Sequence, residues 1–138
     1  MGSQYIDWGS WSALTYSTGT DITAIDVNDE ATLTSDAVSL DLKVACEISV
    51  KWVEGNDGAC DGDVYVYVLR DTDGTNYQTI DDNPALGCVI DATQNTTRYK
   101  TFTIDAAEVS DFKILVDNDS GQDGDLTIKY RTAILTTA

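Results

Sequence analysis

From Val38 to Trp52 apolar and polar side chains alternate without a break. Val38, Leu40, Leu42, Val44, Cys46, Ile48, Val50 and Trp52 fall on one parity, and Ser39, Asp41, Lys43, Ala45, Glu47, Ser49 and Lys51 on the other. A period of two puts the first set on one face of a strand and the second on the other, whereas a helix would scatter both around its axis. A chain built round such a segment has to bury one face of a sheet and leave the other wet. Fifteen residues at about 3.3 Å each are long for one strand. The pattern therefore predicts a bend near Asp41 to Val44, dividing a short strand from a longer central one.

Further strands are expected over Ser12 to Tyr16, Ile22 to Val27, Ala31 to Thr34, Val64 to Arg70, Tyr99 to Ile104, Phe112 to Val116 and Leu126 to Leu135. Between them lie dense turn signals: EGNDGACDGD (54–63), DTDGTN (71–76), DDNPALG (81–87) and DNDSGQDGD (117–125). About eight short strands joined by turns define an all-β fold, a single antiparallel β-sandwich of jelly-roll or immunoglobulin-like type. One short helical turn is expected near 105–110, where Asp105 and Glu108 are spaced as a capping box. Residues 1–11 read as an N-terminal arm or first strand, and 12–138 as the sandwich.

Composition narrows the function. The chain has 138 residues, room for one domain of a size that buries about 68–70% of its unfolded surface. Its 20 Asp and 4 Glu against 8 basic residues give a net charge of −16. Such a surface repels phosphate backbones and anionic lipid, so neither nucleic acid nor membrane is expected as a partner. The chain has no histidine, which removes serine- and cysteine-protease-type triads and histidine-bound zinc. Met1-Gly2-Ser3-Gln4-Tyr5-Ile6 has neither the basic nor the apolar region of a signal peptide and lacks the Ser or Thr of a myristoylation site. Synthesis in a cytoplasm without processing is the expectation. Carboxylate-pair catalysis needs a desolvated acid; nearly every Asp falls in a turn or on a wet parity, so no enzyme activity is expected.

Three sets of residues are candidates for binding or bonding. Val64 to Arg70 is apolar on both parities, so the face carrying Tyr65 and Tyr67 needs cover from a loop or from a partner. Tyr5, Trp8, Trp11 and Tyr16 crowd the N-terminus; these aromatics either fold back onto the sandwich or anchor an arm on a neighbouring subunit. Acidic loops holding Asp71, Asp73, Asn76, Asp81 and Asp82, or Asp117, Asp119, Asp123 and Asp125, supply oxygen ligands of the kind calcium takes. They fit no EF-hand and use the ordinary residues of hairpin turns, so no cofactor is expected. Cys46 sits on the buried parity of its strand, while Cys60 and Cys88 fall between expected strands and are the one disulfide candidate; a cytosolic origin favours free thiols.

The second half carries a family likeness. The stretches VYVYVLRDTDGTNYQT (64–79) and RYKTFTIDAAEVSDFKILVDNDSGQDGDLTIKYRTA (98–133) resemble small β-sandwich virion proteins of tailed bacteriophages, of the capsid decoration or cement type. The resemblance covers about half the chain and includes no catalytic motif. It implies a virion protein that sits as a homo-oligomer on the assembled shell and bridges subunits of the major capsid protein. A tail fibre or baseplate component and a carbohydrate-binding module are the alternatives; the last requires an exposed, coplanar aromatic platform.

Overall fold

The computed structural model describes residues 2–16, 25–55, 60–92, 96–106 and 109–137. In chain order its strands are β1 (Gln4–Trp8), β2 (Ser12–Ala13), β3 (Ile25–Val27), β4 (Ala31–Thr34), β5 (Val38–Ser39), β6 (Ala45–Glu54), β7 (Val64–Arg70), β8 (Ala85–Ile90), β9 (Thr97–Asp105), β10 (Asp111–Asn118) and β11 (Gly124–Thr137). They form two antiparallel sheets. One runs β1-β11-β6-β9, with β2 and β3 also paired to β11; the other runs β4-β10-β7-β8, with β5 also paired to β10.

The alternation in the sequence accounts for the core. Cys46, Ile48, Val50 and Trp52 of β6 point inward with Leu126 and Ile128 of β11, and meet Val64, Val66 and Val68 of β7 and Phe112, Ile114 and Val116 of β10. Most of these side chains are fully enclosed, each contributing about 1.5–3 kcal/mol of transfer free energy.

The expected bend is present, but its apolar parity does not survive it. Val38 and Leu40 are buried, the chain turns at Asp41 and Leu42, and β6 begins at Ala45. Leu42 takes a left-handed φ of 60° and is 88% exposed. β7 spans the residues expected. β8 was not anticipated: its sequence ALGCVI has no alternation and includes Gly87, where a Cβ would lie 2.5 Å from the Phe102 ring. Of the strand expected over Ile22 to Val27, the part before Ile25 lies outside the described residues.

The 3-10 turn among the described residues is Ile80–Asp82, where the Asp82 carboxylate accepts the Thr79 N–H at 2.8 Å. The capping box expected at 105–110 includes Ala107 and Glu108, which lie outside the described residues. On either side of them, the Val109 N–H donates to the Asp105 carbonyl at 3.1 Å.

Candidate binding surfaces

β11 outruns β6. Its last residue paired to β6 is Ala133, opposite Ala45, and residues 134–137 pair with β1 alone. Ile6 lies opposite Leu135 and Asp7 opposite Ile134, forming a two-stranded ribbon off the end of the sheet. Its apolar side chains stay in water: Tyr5 is 48% exposed, Ile6 56%, Ile134 41% and Leu135 51%. Among the described residues β1 ends the sheet, and the far side of such an edge strand is the usual template for another chain.

Trp8 and Trp11 are engaged differently from Tyr5. Arg131 lies between them, its guanidinium carbon 4.7 Å from the Trp8 ring and 4.8 Å from the Trp11 ring. The same guanidinium meets Glu47 across the β6–β11 ladder at 3.3 Å. Both indoles thus fold onto the outer face of their own sheet, Trp8 half-buried and Trp11 partly exposed. Arg131→Ala is expected to lower stability by about 1–2 kcal/mol and to raise acrylamide quenching of tryptophan fluorescence. Unchanged quenching would contradict the clamp.

On the outer face of the second sheet, cover is divided. The segment after β7 folds back over Leu69 and Leu115, which are buried, and Lys113 Nζ lies 4.7 Å from the centre of the Tyr77 ring. Tyr65 and Tyr67 remain only half-buried, with ring centres 6.4 Å apart and planes 24° from parallel. Burial, then the Asp117 charge, raises the Tyr67 hydroxyl above its ordinary range.

Several oxygens of the acidic loops are taken up by backbone amides. Asp71 accepts the amides of Asp73 and Gly74; Asp73 accepts those of Thr75 and Asn76 and the Asn76 side-chain amide. These bonds hold the Asp73 carboxyl below its usual range. Asp123 accepts the Asp29 amide, and Asp29 the Gly121 amide. Asp81, like Asp82, lies in the 3-10 turn, and Asp125 is exposed on β11 opposite Asp26 of β3. Among the described residues no three acidic or cysteine side chains are placed to hold a metal ion.

Asp117 is pushed up by burial first and by neighbouring Asp119 second. A carboxyl whose folded pKa is raised penalises the fold while ionised, and the penalty disappears as pH falls below its unfolded pKa. Asp117→Asn is therefore expected to raise Tm by about 2 °C at pH 7 and to leave it unchanged near pH 3. A gain of equal size at both pH values would contradict this.

At the same end of the sandwich lies an arrangement that turn signals concealed. Glu54 is 2% exposed. One carboxylate oxygen accepts the Trp52 indole N–H and the other accepts the Ser120 hydroxyl at 2.8 Å. Burial followed by the Glu54 charge raises the Cys60 thiol above its ordinary range. Asn118, likewise enclosed, donates to the carbonyls of Val27, Asn28 and Gln122. Glu54 had been read as the first residue of a turn, yet it continues the inward parity Cys46, Ile48, Val50, Trp52. That parity is the signal by which it could have been found.

All three cysteines are free thiols in this structure. Cys60 precedes β7 beside Glu54, whereas Cys88 lies within β8 opposite Val66, in a strand and not in the loop expected. Burial raises Cys88 to about 11 and Cys46 to about 12.

No protein-family model matches the sequence, and no curated protein matches it. Solved structures do share its fold. Over 89% of this chain, at 12% identity and a TM-score of 0.57, it is similar to the CBM22-1–GH10 modules of Clostridium thermocellum xylanase 10B, solved with xylohexaose. Over 91%, at 13% identity and a TM-score of 0.54, it is similar to the infectious bursal disease virus Gt strain structure. The chain spans 24% and 33% of those two chains. A Bacillus endospore appendage of the disulfide-linked pilus type aligns over 97% of this chain and 91% of its own, at 11% identity and a TM-score of 0.42. The first two likenesses, with the two antiparallel sheets, define a jelly-roll-like β-sandwich. Among the described residues no helix is long and apolar enough to cross a membrane.

Proposed function

We infer that this chain is a non-catalytic structural protein of a virion, a decoration or cement protein that binds the outside of a major capsid shell as a homo-oligomer and holds neighbouring subunits together. The observation that carries the reading is the β1–β11 ribbon. Its ten paired residues carry one carboxylate, Asp7, in a chain with 24 acidic residues. Like charges oppose association, so a protein of net charge −16 attaches most readily through such an apolar, weakly charged projection.

The infectious bursal disease virus structure among those of similar fold supports the reading. So does the engagement of the buried Glu54, whose two oxygens are both occupied, leaving it a structural role. Cement proteins work by number. A modest contact repeated across a shell gives large total holding energy, and a pair of contacts on one oligomer gains further through effective concentration.

Mixing the purified chain with purified capsid shells and sedimenting the shells tests this. Saturable co-sedimentation at a fixed ratio to the major capsid protein, with a rise in the shell's disruption temperature, is expected. Shells that neither bind the chain nor gain stability would refute it.

A further inference from the structure

Beside the half-buried tyrosines, the outer face of the β4-β10-β7-β8 sheet forms a groove of about 440 Å³. Its floor is Leu69 of β7, Leu115 and Lys113 of β10, and Thr32 and Thr34 of β4. Its wall is the segment from Thr75 to Ile80. That wall is braced by the Asp71 and Asp73 turns, by the Thr72 hydroxyl on the Asn76 carbonyl at 3.0 Å, and by the Arg70 amide on the Gln78 side chain at 3.0 Å. A site braced in this way needs little ordering when a ligand arrives.

The lining is unlike the rest of the surface. Among the described residues no carboxylate lines the groove, although the chain carries 24, and Lys113 is the one charged residue there. What remains is hydroxyls, side-chain amides and the Tyr77 ring, above two leucines that are almost fully buried. The volume is that of a small-ligand site, generally 300–1,000 Å³, whereas a protein partner buries roughly 800 Å² on each side. The strong negative field of the whole molecule disfavours phosphorylated ligands. Hydroxyl and amide groups beside the face of one aromatic ring match a ligand with polar edges and apolar faces, which is the chemistry of a sugar ring.

We propose that this groove is a binding site for a neutral oligosaccharide, with Thr32, Thr34, Asn76 and Lys113 hydrogen-bonding its hydroxyls and Tyr77 packing against a ring face. Tyr67 is paired opposite Leu115, so the two stacked tyrosines of β7 extend the same floor for a longer chain. The site lies on the second sheet and the ribbon on the first, so the groove stands independently of the shell reading.

Titrating the full, isotope-labelled chain with cellohexaose, xylohexaose, mannohexaose and chitohexaose, following backbone amide resonances, tests the proposal. At least one hexasaccharide is expected to shift the amides of Thr32, Thr34, Asn76 and Lys113, with a dissociation constant between about 10 µM and 1 mM. Thr32→Trp fills the groove from an exposed strand position; it is expected to weaken that binding about ten-fold or more with Tm unchanged, and Tyr77→Ala to do the same. Three results would overturn the proposal: no response to any of the four sugars, shifts confined to Trp8 and Trp11, or binding that both variants leave intact.

Discussion

Replacing Glu54 with leucine is expected to lower stability by about 3–5 kcal/mol, among the largest effects of any single substitution. The leucine fills much of the space but accepts nothing. The Trp52 indole N–H and the Ser120 hydroxyl, both enclosed, lose their shared acceptor at one stroke. The loss reaches across the sandwich, because Trp52 and Glu54 lie on β6 while Ser120 lies on the loop after β10. Glu54→Gln keeps one acceptor oxygen and turns the other into a donor facing a donor, so about 1–2 kcal/mol is expected. The ring of Trp52 is itself fixed by Gly124, where a Cβ would come within 2.2 Å of it. Urea denaturation of the two variants, read as midpoint at constant slope, checks the ordering. A leucine variant as stable as the parent would show that the carboxylate is not what joins this loop to β6.

The second large effect concerns attachment. Ile6→Lys combined with Leu135→Lys places two like charges directly opposite each other on the ribbon and removes its largest apolar pair. Both positions are more than half exposed, so the fold itself is expected to change by less than about 1 kcal/mol. Binding to capsid shells is expected to fall a hundredfold or more, about 2.7 kcal/mol. Deletion of residues 1–11 is expected to abolish attachment as well, while removing the Trp8–Arg131–Trp11 contact besides. Retained attachment by both variants would move the binding surface elsewhere.

What the sequence revealed and what it hid divide along physical lines. Period-two alternation is a local signal, and it located β6 and the bend before Ala45, because strand parity and burial are coupled residue by residue; β7 stood out instead as a short β-branched and aromatic run. β8 escaped because Gly87 interrupts its pattern and Pro84 marks a turn just ahead of it. The ribbon escaped because the pairing of Gln4 with Thr137 joins opposite ends of the chain, which no local pattern records. Trp8 and Trp11 were legible as anchors but not as the two sides of an arginine clamp, since Arg131 is remote in sequence. The groove depends on one segment, 71–80, folding back on its sheet. Its composition of Asp, Thr, Gly and Asn announces a turn without saying where the turn leans.

On the function proposed, this acid-coated sandwich acts by adhering to a larger assembly. Quantitative mass spectrometry of purified particles, counting this chain against the major capsid protein, tests that most directly. Hundreds of copies per particle, in fixed proportion to the capsid subunit and lost from the double-lysine ribbon variant, are the expected result. A chain absent from the particles, or present in only a few copies, would contradict the account.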